Sequence, residues 1–273
     1  MMQTDSMNSR IEERAARQLA ERLGDSVQFY KLGLELMMAG GYFELVDWLV
    51  ERGKKIFVDL KFFDVPATVG RAVSRLNGRG VTFATVHGNQ SIMEAAVAAA
   101  EDVQILGVTV LTSLDRGDLD DLGFDCDVGE LVLSRARRAL EAGCAGVISS
   151  GLEAPRLREH IDARLLVVTP GIRPVDNRPA DDQKRVVNVE QAFANGADYI
   201  VVGRPIRHVF DGRARVARAP ADGGKLSAQA LRRTGIGVEQ ACLGTQAAAH
   251  AAAEECRHRR VDLFLEGIDA AFQ

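Results

Sequence analysis

Seven short aliphatic runs, each entered from a glycine or polar residue and each closing in polar or glycine residues, recur between Val27 and Gly203. They begin at Val27 and Lys55 and continue as VTFATVHG after Gly80, VQILGVTVLTS after Asp102, CAGVISS after Gly143, LLVVTPG after Arg164 and ADYIVVG after Gly196. Helical patterns separate them. Residues 12–23 place Ala15, Leu19 and Leu23 on one stripe before Gly24, and Leu45, Val46, Leu49 and Val50 form another before Gly53. Strands alternating with helices are joined by right-handed crossovers, so the chain must build a parallel α/β sheet or barrel.

One run carries charge in an unusual place. In KIFVDLKFFDVP, Ile56, Val58 and Leu60 alternate with Phe57, Asp59 and Lys61. Strand periodicity therefore sends the aliphatic set to one face and the carboxylate and ammonium to the other. Asp64 follows where the run breaks, and Val65-Pro66 marks the chain leaving the strand. An isolated Asp-x-Lys pair is usually a surface ion pair of little value. Here the other polar residues argue otherwise. Lys31, Asp59, Lys61, His87, Thr112, Ser113, Ser149, Arg173 and Arg204 all fall at or just beyond strand C-terminal ends, where α/β proteins carry their sites. His87 reads as a hydrogen-bonded lining residue rather than a base.

The loops in TPGIRP and VVGRPI pair a glycine with an arginine: Gly171 with Arg173 and Gly203 with Arg204. Glycine admits close backbone approach and arginine forks onto phosphate oxygens. In a (β/α)8 barrel the last two strand loops are the usual phosphate grip. Between them ADDQKRVV is polar and loop-like, and its Gln183 carries an amide able to hydrogen-bond a base or phosphate, a role its context alone does not assign.

A formal charge of −4 provides no basic footprint for nucleic acid or anionic membrane. Neither partner is expected. Cys126, Cys144, Cys242 and Cys256 lack C-x-x-C spacing, and no apolar run has the length of a membrane span or the form of a signal peptide, so a cytoplasmic setting is expected. Phosphate-loop, dinucleotide and nucleophile-elbow motifs are absent.

KLGLE, DLKFFDVPATV, TVHG, VTVLTSLD, TPGIRP, DDQKRV and DYIVVGRPI, in that order, resemble the orotidine 5'-phosphate decarboxylase family over residues 12–206. D-x-K-x-x-D is shared with sugar-phosphate relatives such as 3-hexulose-6-phosphate synthase, but T-P-G-I-R-P followed by D-D-Q is more particular to the decarboxylases. The resemblance implies a (β/α)8 barrel that takes orotidine 5'-phosphate to UMP and CO2 without metal or organic cofactor. It implies that Lys31, Asp59, Lys61 and Asp64 form an alternating charged array, with Lys61 as proton donor and Asp64 reaching the neighbouring subunit's site in a homodimer. It further implies that Thr68, Thr112 and Ser113 contact substrate and that Gln183, Arg173, Gly203 and Arg204 hold its phosphate. Phe63 stands where many relatives have histidine.

The two ends depart from the family. Its first strand, of the type I-V-A-L-D with a ribose-binding Asp, has no counterpart in MMQTDSMNSR, and Asp5 does not inherit that role. The expected organisation is a polar segment at 1–10, the barrel at 11–206 with its first strand missing or replaced, and a tail at 207–273. In the tail, 207–225 reads as irregular, and 238–260 as a helix that 261–272 extends. A ring lacking one strand has two unpaired edges. The altered ends motivate one rival reading, a catalytically impaired nucleotide-binding remnant; the shared D-x-K-x-x-D motif motivates the other, a magnesium-dependent sugar-phosphate lyase or synthase of the same suprafamily. His250, Glu254 and His258 share one face of the tail helix but lack a metal-binding core, so no metal site is expected.

Overall fold

The structure, a computed structural model, describes residues 5–172, 185–203 and 263–265. All seven expected strands are present: β1 (Phe29–Gly33), β2 (Lys55–Phe62), β3 (Val81–His87), β4 (Gln104–Val108), β5 (Gly146–Ile148), β6 (Leu166–Thr169) and β7 (Tyr199–Val202). An eighth, β8 (Leu263–Leu265), comes from the tail, and the strands close in sequence order into a parallel barrel. The helices are α1 (Asp5–Leu23), α2 (Leu34–Ala39), α3 (Tyr42–Val50), α4 (Pro66–Ser74), α5 (Gln90–Ala99), α6 (Arg116–Asp121), α7 (Val128–Glu141), α8 (Ala154–His160) and α9 (Val189–Ala194).

β8 corrects two expectations. Residues 263–265 form a strand where a helical extension was read, and the gap left by the absent first strand is filled. Leu263, Phe264 and Leu265 pair with Ile200, Val201 and Val202 of β7, while Phe264 and Leu265 pair with Phe29 and Tyr30 of β1. Both edges have backbone groups that must be paired, and a parallel apolar segment satisfies them. The N-terminal stretch, in contrast, is helical from Asp5.

Two hydrophobic layers follow from strand alternation. Phe29, Phe57, Phe83, Leu106, Val108, Ile148, Val168 and Val201 form a cluster inside the ring, with Phe29 and Phe83 stacked at 5.5 Å. Ile56 and Val58 belong instead to the larger cluster between strands and helices. The interior is thus a packed floor, as barrels require. Residues two further along β1, β2 and β3 must sit one layer higher, at the C-terminal mouth. Gly88, just past β3, lets that mouth close: a Cβ there would lie 2.4 Å from the carbonyl oxygen of Val108.

Candidate active site

Lys31 and Asp59 stand one layer above Phe29 and Phe57, and both are buried, at 3% and 7% exposure. Both Lys31 Nζ and Lys61 Nζ donate to the same oxygen, Asp59 Oδ2, at 2.8 Å. The two ammoniums differ in access. The Lys31 side chain is 4% exposed and that of Lys61 38%. Lys61 therefore faces the open mouth while Lys31 supports the carboxylate from below.

Burial alone would push the Asp59 carboxyl up, but Lys31 and then Lys61, through charge and hydrogen bonds, hold it well below the usual carboxylate range. The same negative charge, added to a larger effect of burial, pushes the Tyr42 hydroxyl up; that hydroxyl donates to Leu32 O at 3.0 Å.

Lys61 carries a feature that strand periodicity does not show. Its φ is +45°, the left-handed region, which for a residue with a Cβ costs roughly 1–2 kcal/mol. The cause is a β-bulge. Val58 pairs with Ala84 and Phe62 with Val86, so Asp59, Leu60 and Lys61 stand opposite Thr85 alone. Thr85 is fully buried; its hydroxyl accepts the Lys61 backbone N–H at 2.9 Å and donates to Asp59 Oδ1 at 2.9 Å. Sequence reasoning missed it, although its place two residues after Phe83 on an inward-facing strand was the available signal.

The remaining sequence-derived residues lie around this centre. Asp64 is exposed on the loop after β2, accepts the Val65 N–H at 2.6 Å and has no ion-pair partner among the described residues. Thr68 is in the first turn of α4, where Pro66 occupies a first-turn position. Thr112 is buried and its carbonyl accepts the Arg185 N–H at 3.3 Å; Ser113 is half-buried, and Gly203 is buried directly after β7. Arg173, Gln183 and Arg204 lie outside the described residues, as do the tail positions His250, Glu254 and His258.

Two further contacts shape the mouth. The Phe63 ring lies 4.3 Å from that of His87, whose Nδ1 is 2.8 Å from Asn89 Oδ1. Arg185 spans from the far side to the end of β4, binding Glu153 Oε1 at 2.7 Å and the carbonyls of Val110 and Leu111 at 3.1 and 2.9 Å. This tie holds the segment carrying Thr112 and Ser113 against the loop that follows β6.

Comparison with known proteins gives consistent results. The family model described as orotidine 5'-phosphate decarboxylase / HUMPS family matches residues 5–219. The orotidine 5'-phosphate decarboxylase of Methylococcus capsulatus is 69% identical over 206 residues, covering 76% of this chain and 85% of the relative. That of Stenotrophomonas maltophilia is 51% identical over 201 residues, covering 73% and 83%. The crystal structure of orotidine 5'-phosphate decarboxylase from Lactobacillus acidophilus superposes with a TM-score of 0.61 at 34% identity, over 71% of this chain and 86% of that one.

Proposed function

This chain belongs to the orotidine 5'-phosphate decarboxylase / HUMPS family, and from that membership we propose that it decarboxylates orotidine 5'-phosphate to UMP and CO2, with Lys61 as proton donor. The observation that carries the reading is the accessible Lys61 ammonium held on Asp59 Oδ2 opposite the buried Lys31. When the bond from C6 to the carboxylate breaks, its electron pair stays on C6, where no neighbouring group can delocalise it. A cation placed there stabilises the developing charge and then delivers its proton to the same carbon. Lys61 can do both, and afterwards recovers a proton from solvent. Lys31 is too deeply enclosed for that task and serves to keep Asp59 charged.

In this reading Thr68, Thr112 and Ser113 contact the substrate, and Arg173, Gln183, Gly203 and Arg204 bind its phosphate. Binding energy from that remote group contributes to closing the site over the reacting ring. Asp64 completes the partner subunit's site in a homodimer, which its exposed position between Phe63 and Val65, themselves 66% and 63% exposed, supports. A cytoplasmic setting is consistent with this chemistry. Closure of the ring by β8 removes one motive for the impaired-remnant reading, the unpaired barrel edges; the absent ribose-binding Asp of the family's first strand is the other.

The test is the loss of orotidine 5'-phosphate absorbance on incubation with the full chain, with and without a chelator. Turnover insensitive to chelator, and lowered by more than about a hundredfold in Lys61→Ala, is expected. Turnover that requires added magnesium would favour the sugar-phosphate rival, and a folded chain with no turnover would favour the remnant.

A further inference from the structure

The β2 bulge puts the reactive lysine in a backbone conformation that the chain does not adopt unaided. Between Val58 and Phe62, β2 spends three residues where β3 spends one, and Lys61 takes φ +45° as a result. Residues so placed persist only when their surroundings hold them. A single side chain touches both reactive residues of the bulge. Thr85 Oγ1 accepts from the Lys61 backbone at 2.9 Å, and its proton goes to Asp59 Oδ1 at 2.9 Å. With Oδ1 occupied by Thr85, Oδ2 is the oxygen turned to both ammoniums. The hydroxyl thus fixes the carboxylate plane and the lysine backbone together.

We infer that Thr85 is a positioning residue for the reaction, its hydroxyl clamping the bulge so that Asp59 and the Lys61 ammonium hold their mutual aim. It touches neither reacting atom, and it acts through both residues that do. The inference rests on the decarboxylase reading. Without the hydroxyl, the part-buried Lys61 N–H and one buried oxygen of Asp59 lose their partner, and the bulge relaxes toward a regular pairing.

The experiment compares Thr85→Ser, Thr85→Ala and Thr85→Val in the full chain, measuring kcat and KM for orotidine 5'-phosphate. Serine and alanine both lack the methyl group, so any packing defect falls on both and the hydroxyl is read from their ratio. Expected is a kcat for Thr85→Ser within about threefold of wild type, with Thr85→Ala and Thr85→Val lower on the order of 10- to 100-fold and KM little changed, because misplacement by a fraction of an ångström acts on the chemical step. Equal kcat in the serine and alanine variants, or a loss confined to KM, overturns this inference alone. A wild-type chain that leaves orotidine 5'-phosphate unchanged overturns the decarboxylase reading as well, so the two failures are distinct.

Discussion

Phe264 lies in parallel register with Phe29, joining the last described strand of the chain to the first. The ring therefore closes through a segment of only three residues, Leu263–Leu265, which is paired on both sides. Proline at position 264 removes one ladder hydrogen bond and leaves its acceptor unpaired, at a cost of about 1–3 kcal/mol. We expect Phe264→Pro to lower the thermal midpoint by several degrees in calorimetry. An unchanged midpoint would mean that β8 contributes nothing to stability.

Removing Asp59 leaves Lys31, only 3% exposed, as a buried cation without its carboxylate. Breaking one side of such a pair costs about 3–5 kcal/mol, whereas replacing both by apolar groups is often neutral. Urea unfolding should show Asp59→Ala strongly destabilised and the double variant Lys31→Met, Asp59→Leu recovering most of that loss. Both should be inactive. If the double variant is no more stable than the single one, the ion pair is not the origin of the effect.

Asp64 and Lys61 are close in sequence, but Asp64 is exposed and Lys61 is held on Asp59. If Asp64 serves the partner subunit, Asp64→Ala and Lys61→Ala chains, each inactive alone, should form mixed dimers with one intact site. Activity approaching a quarter of wild type is the rough expectation for random pairing, since half the dimers are mixed and each has one of two sites intact. Mixed dimers proven by tag purification but lacking turnover would remove the shared site.

Burial lowers the His87 pKa; the hydrogen bond to Asn89 opposes this, and Arg135 adds to the lowering. With the folded value below the ordinary value of about 6.5, the unfolded chain binds more protons as pH falls. Stability from this group is fully present above about pH 6.5 and is lost as pH drops through the folded value. Denaturation midpoints should therefore fall between neutral and mildly acidic pH, and His87→Gln should remove that part of the slope. An identical pH profile in the variant would assign the dependence to other groups.

Much of the barrel was legible because strand periodicity is local. Alternation in KIFVDLK separated Phe57 and Asp59 from Ile56 and Val58, and the structure puts Phe57 in the inner cluster and Ile56 and Val58 in the outer one, whereas Lys61 is aimed by the bulge. Strand-end position likewise gathered Lys31, Asp59 and Lys61, because all parallel strands point their C-terminal ends to one mouth. Those features follow from residue order and chain geometry alone.

β8 and the role of Thr85 were not legible, for a common reason. Three residues are too few to show a period, and Leu263–Leu265 becomes a strand only because β1 and β7 present two edges whose backbone groups require partners. Thr85 becomes the clamp only because the β2 register slips by two residues against β3, placing Asp59 and Lys61 around one hydroxyl. The sequence by itself determined the alternating elements and the charged residues at their ends. Which segment closed the ring, and which side chain held the lysine, was decided by pairing between distant strands, an energy that exists only once the barrel is formed.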